Sequence, residues 1–220
     1  MEVPPVAQDE NKNVNAKFCI KSVANQMEQL STHEDSADIQ LAPFVSVYEE
    51  LCKFIKSLGK IFEFVEKDVH EKLVVLKNLH ENDPTSFKTI ENLINSEKPD
   101  KIKLKHSGAV AILHLNRALE FIVEFMNAAA SATNEDSIPK ICRECYDATL
   151  AKHHPWIIKT AVKVAVYTLP TREKMLEYIQ GSITEEAQVQ EQINLVVSHG
   201  KLVHARINTI YTTHELHQLA

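Results

Sequence analysis

Two charged residues, Asp68 and Lys72, stand one helical turn apart inside a stripe that is otherwise apolar. Through residues 44–79 the apolar side chains recur in steps of three and four, from Phe44, Val47 and Leu51 to Val69, Leu73 and Leu76. That spacing predicts one continuous helical face, with a bend at Gly59. On an exposed face an i,i+4 Asp/Lys pair contributes only a few tenths of a kcal/mol, roughly. On a buried face each charge is costly unless it holds something polar. The pair is therefore either an edge-of-core ion pair, with the lysine stem lying on apolar surface, or a clasp for the polar end of an oily ligand.

Two histidines have comparable potential. His114 lies in residues 107–132, an apolar stretch, and helical spacing sets it among Val110, Ala118, Phe121 and Phe125. It is either a core histidine satisfied by a backbone carbonyl or a ligand-facing group. His154 precedes Pro155 and Trp156. Proline favours the first helical position, so His154 is expected at the cap, beside free backbone N–H groups that attract anions. Other clusters carry less. Cys142-x-x-Cys145 lacks the further ligands that structural zinc requires, and no strand precedes it as in redox motifs, so the two thiols are read as core filling. His214 and His217 have the wrong spacing to share a helical face as metal ligands. There is no phosphate-binding loop, dinucleotide glycine pattern or nucleophile elbow. The sequence points to no enzyme, metal or cofactor.

The elements that must position these residues read as helices throughout. Only four glycines and eight prolines occur in 220 residues, and helical periodicity recurs along the chain, which predicts an all-α fold. Residues 1–15 read as a flexible arm and residues 16–220 as one domain. Helical stretches are expected at 18–30, 86–95, 107–132, 138–152, 157–169, 171–180 and 185–216. The charged segment 97–106 is expected to face solvent. A net charge of −6 without a basic stripe argues against nucleic acid. No apolar run reaches the ~18 residues a membrane span needs. The polar first residues and four cysteines predict reduced thiols in the cytosol.

Four blocks in order resemble the glycolipid transfer protein family, and within it the ceramide-1-phosphate transfer branch. They are residues 57–72 (SLGKIFEFVEKDVHEK), 112–119 (ILHLNRAL), 146–156 (YDATLAKHHPW) and 168–173 (TLPTRE). The resemblance runs from about Phe18 to the C-terminus. It implies a two-layer helical sandwich of about eight helices, which holds one sphingolipid with its chains in a hydrophobic cleft and passes it between membranes as a monomer, without chemistry. Asp68 stands where the family binds the ceramide amide and hydroxyl, and His154 where it binds the amide carbonyl. Lys72 stands where the phosphate branch has lysine and sugar-binding members have asparagine. In the central helix the phosphate branch carries two arginines one turn apart; Val110 and His114 occupy those positions here. His114 is expected to supply the missing charge when protonated, so that affinity falls as pH rises through the histidine range. The resemblance favours a ceramide-1-phosphate ligand and leaves a sugar-headed lipid as the alternative. It also implies membrane docking through Trp156 (the only tryptophan), Ile157, Lys159 and Tyr48, at a cytoplasmic, peripheral location. A different outcome is a lipid sensor that does not transfer its ligand and engages a protein partner through the arm.

Overall fold

The computed structural model describes residues 17–32, 38–97, 102 and 107–219. The expected arm, residues 1–15, lies outside them, as does most of the charged segment 97–106. Among the described residues there are nine α-helices and no strand, only an isolated bridge between Gln40 and Thr89.

Helix α1 (Ile20–Thr32) buries Ile20, Val23, Ala24, Met27 and Leu30, the three-and-four rhythm of one apolar face, and lies against α2 and α9. Its first turn is held by Glu50, a buried carboxylate that accepts the Cys19 N–H at 2.7 Å and also pairs with Lys53. The long stripe at 44–79 does not form one face. It divides into α2 (Leu41–Ser57), a 3-10 turn (Lys60–Phe62) and α3 (Glu63–Asn82). Gly59 sits at φ +100°, a conformation open to glycine and strained for other residues. The result is a reversal rather than a bend: Lys56 pairs with Glu66 and Lys77 with Glu49, ladder contacts of two antiparallel helices. Periodicity survives such a reversal unchanged, which is why spacing alone misses it.

After α4 (Ile90–Ser96), which is shorter than expected, comes α5 (Gly108–Ser131), the central helix. Ser107 caps it by accepting the Val110 N–H. Glu97 adds a carboxylate cap, accepting the Gly108 and Ala109 amides at 2.6 and 3.0 Å. Glu97 and the buried Ile102 therefore correct the expectation of a purely solvent-facing segment at 97–106. Two buried tyrosines pin α5 from either side: Tyr48 of α2 donates to the Leu115 carbonyl and Tyr211 of α9 to the Ala109 carbonyl.

The remainder is α6 (Ile138–Ala148), a 3-10 turn (Leu150–His153), α7 (Trp156–Ala165), a second 3-10 turn (Val166–Thr168), α8 (Arg172–Gln180) and α9 (Glu186–Thr213). Ser137 and Thr171 cap α6 and α8 through their hydroxyls. Helix α9 runs beside both α1 and α5. Its Gly200 permits the close approach, since a Cβ there would stand 2.7 Å from Val123 Cγ2. Helix α5 is thus packed against α9, α3 and α6.

Candidate functional site: an apolar cavity with a polar mouth

The stripe shared by α2 and α3 does not all reach solid core. Much of it faces a cavity of about 710 Å³, bounded by α2, α3, α5, α6, α7 and α8. Its walls are mainly apolar, with Phe54, Leu58, Val65, Phe121, Ile122 and Met126 among them. Of α3, only Val69, Leu73 and Leu76 are buried. Phe64 and Val65, near its start, stay partly exposed because they line a hollow large enough for a lipid-sized guest.

Asp68, Lys72, His114 and His154 come together at one end of this cavity, joined there by Arg117 and His153. Lys72 Nζ donates to the Asp68 carboxylate at 2.7 Å and to the Asp68 carbonyl at 3.2 Å. The lysine stem is covered, leaving its side chain 16% exposed, whereas the Asp68 side chain is 66% exposed. The pair therefore sits at the edge of the core with the lysine stem on apolar surface, one of the two arrangements its spacing allowed. Asp68 stands on the rim, where its second oxygen is available to donors arriving from solvent. His154 Nδ1 lies 2.9 Å from the buried Tyr146 hydroxyl, so Nε2 is the ring nitrogen left for a guest. His154 is not the helix cap. As the residue before a proline it is extended (φ −102°, ψ 139°), and Pro155 takes the cap with Trp156 first in α7.

The electrostatics differ from what spacing suggests. Burial, reinforced by the Lys72 and Arg117 charges, pushes His114 down to about 4. Burial also lowers His154 and His153. At neutral pH the mouth therefore holds neutral imidazoles beside Lys72, Arg117 and Asp68, with Lys67 and Glu71 also in the cavity wall. His114 as a replacement cation is corrected to a neutral hydrogen-bonding group. Arg117 donates to the His217 carbonyl at 2.9 Å, which ties the C-terminal turn to the mouth. Arg117 was missed in the sequence; its i+3 step from His114 was the signal that it shares the mouth. Tyr146 was likewise missed as the partner of His154.

Beside the mouth, α7 exposes Trp156 (79%) and Ile157 (68%). Val164 extends this exposed surface along α7, next to Lys163, and Tyr167 continues it in the 3-10 turn that follows. Their spacing from Trp156, eight and eleven residues, was the overlooked sign of one face. Lys159 is half-buried at its edge. Tyr48 is not part of any surface. It is 1% exposed, and its hydroxyl is consumed by the Leu115 carbonyl, so its assignment to membrane docking is withdrawn. Cys142 is buried and its thiol is pushed up to about 12, the reverse of a reactive cysteine. No described helix is long and apolar enough to cross a membrane.

Residues 39–181 match the family described as glycolipid transfer protein (GLTP). The ceramide-1-phosphate transfer protein of Xenopus tropicalis is 30% identical over 92% of this chain and 97% of its own. The chain belongs to the glycolipid transfer protein family. Among solved structures, the apo form of mouse ceramide-1-phosphate transfer protein superposes with a TM-score of 0.84 at 27% identity, covering 93% of this chain and all of the other (100%). The human protein in complex with 12:0 ceramide-1-phosphate gives 0.80 at 25% identity, over 92% and 100%. A fungal glycolipid transfer protein, HET-C2, shares the fold at a TM-score of 0.72. The glycolipid transfer protein family and these relatives are named for lipid transfer, not for catalysis. The all-α glycolipid transfer protein fold expected from the four sequence blocks is the one found.

Proposed function

We propose that this chain binds a sphingolipid, ceramide-1-phosphate in preference to others, and carries it between membranes as a monomer. The observation that carries this reading is the pairing of a large apolar cavity with a compact polar mouth. Hydrocarbon chains fill the cavity. At the rim, the Asp68 carboxylate accepts hydrogen bonds from the ceramide amide and hydroxyl as a charge-assisted acceptor. A hydrogen bond donated by the Tyr146 hydroxyl to His154 Nδ1 leaves Nε2–H of the neutral ring to bond the amide carbonyl. Lys72 and Arg117 supply the positive charge that a phosphate requires, with His114 as a neutral donor beside them. Trp156, Ile157 and Lys159 place this opening against a cytosolic membrane surface, an indole and lysine composition suited to the interface. The names of the relatives support the same ligand.

One observation favours a second reading. Val110 is buried and apolar and His114 is uncharged, so the mouth has fewer cations than a site built around paired arginines. A sugar-headed sphingolipid would suit it. The test is transfer of fluorescent lipids between vesicles. Ceramide-1-phosphate should move faster than a simple glycosylceramide, and Asp68→Val should slow transfer by about a hundredfold through loss of two charge-assisted bonds. Faster movement of the sugar lipid would favour the second reading. Movement of neither would remove transfer altogether, and lipid-dependent capture of a protein partner would then favour a sensor.

A further inference from the structure

The cavity is not apolar at both ends. Its lining on α5 runs from His114 at the mouth to Ala130, sixteen residues and about 24 Å at roughly 1.5 Å per residue. At the far end Arg172, the first residue of α8, joins the wall. Its position is fixed by its partners. Nη1 donates to Asn134 Oδ1 at 3.2 Å, in the turn that follows the end of α5. Nη2 reaches Glu186 Oε1 at 3.3 Å, at the start of α9. The side chain is 15% exposed, and its Nε is buried with no hydrogen-bond partner. A cation with an unused donor therefore stands at the opposite end of the cavity from Asp68, Lys72 and His154.

Resting on the carrier reading above, we propose that Arg172 is the distal stop of the cavity, which sets the length of hydrocarbon chain the protein accepts. The hydrocarbon of one leaflet is about 15 Å deep, half a bilayer core of about 30 Å. A cavity of about 24 Å is deep enough for the longer chains to approach this end. Along the dry walls each added methylene strengthens binding by about fourfold. A chain terminus that arrives at Arg172 meets a guanidinium instead. Going further means drying a charged group and parting it from Asn134 and Glu186, so the gain per methylene ends there.

The experiment is a competition series of ceramide-1-phosphates with saturated acyl chains of increasing length, read as relative affinity and transfer rate. The wild type should gain with length and then reach a plateau. Arg172→Met, which turns the stop into more dry wall, should move the plateau outward by about two methylenes and improve the longest chain about tenfold relative to the shortest. Arg172→Lys keeps the charge and should keep the wild-type plateau. An unchanged profile in Arg172→Met, or a parallel loss at every length, overturns the proposal. A second arm needs no mutation and uses acyl chains ending in a hydroxyl. Inside the dry part of the cavity that hydroxyl should weaken binding tenfold or more; at plateau length Nε gives it a partner, and the penalty should shrink to about twofold. An equal penalty at both lengths also overturns it. Failure of the wild type to bind or move any of the series would remove the carrier reading itself, a result distinct from a flat length profile.

Discussion

Toward α9, helix α5 presents Asn116, Leu119 and Val123; toward the cavity it presents Ala118, Phe121, Ile122 and Met126. The first set is sealed. Leu119 is fully buried, Val123 meets the close approach of Gly200, and the Asn116 side-chain amide donates to Asn208 while its backbone carbonyl is met by His204. The second set is only partly covered. Both faces have the same apolar periodicity, yet one gains its stability from protein atoms and the other is left for a guest to cover. A carrier needs this division, because the free energy released when lipid enters must come from surface that folding left uncovered.

The comparison can be broken by truncating one residue on each side. Leu119→Ala should cost about 2–5 kcal/mol in denaturant unfolding, the ordinary penalty for a cavity in a sealed core. Phe121→Ala removes more atoms but should cost only about 1–2 kcal/mol without lipid, because its site is already half open. Lipid should widen the stability gap between wild type and Phe121→Ala. Equal costs without lipid would mean that the cavity is closed in solution.

A smaller effect separates the docking surface from both faces. Trp156→Ala should weaken partition onto anionic vesicles by about tenfold and leave unfolding unchanged within about 0.5 kcal/mol. A stability loss comparable with that of Leu119→Ala would place the indole in the core instead.

A further effect, confined to acid pH, concerns His114. Its pKa in the folded protein, about 4, lies below the ordinary 6.5, so below pH 6.5 the unfolded chain binds a proton that the folded chain refuses. Stability should fall as pH drops from 6.5 toward 4, by about 1–2 kcal/mol after discounting for solvent at a half-open site, and His114→Gln should lose less. Between pH 6.5 and 8 His114 is already neutral, and ligand affinity should run parallel in wild type and His114→Gln. A decline confined to the wild type would mean that the bound head group draws a proton onto this histidine.

How far the site was legible in the sequence depended on how local each signal was. Asp68 and Lys72 are one turn apart on one helix, and Tyr146, His154 and Trp156 fall in one short block, so spacing brings them into view. Tyr48 was misplaced because its partner, the Leu115 carbonyl, is 67 residues away and only folding brings it near. His114 was given the wrong charge because the groups that depress it, burial and Lys72 and Arg117, arrive from other turns and other helices. The reversal at Gly59 was read as a bend because a 3.6-residue rhythm continues unchanged through a turn.

From its residues alone the chain already specified helices, their apolar faces, several of their caps and the types of group offered to a ligand. These are consequences of neighbours within a turn or two. Tertiary structure decided which apolar faces were sealed and which were left around a hollow, which histidines stayed neutral, and that Arg172 closes the end opposite Lys72. Burial and electrostatic environment are sums over atoms distant in sequence, and those sums exist only after the helices have met.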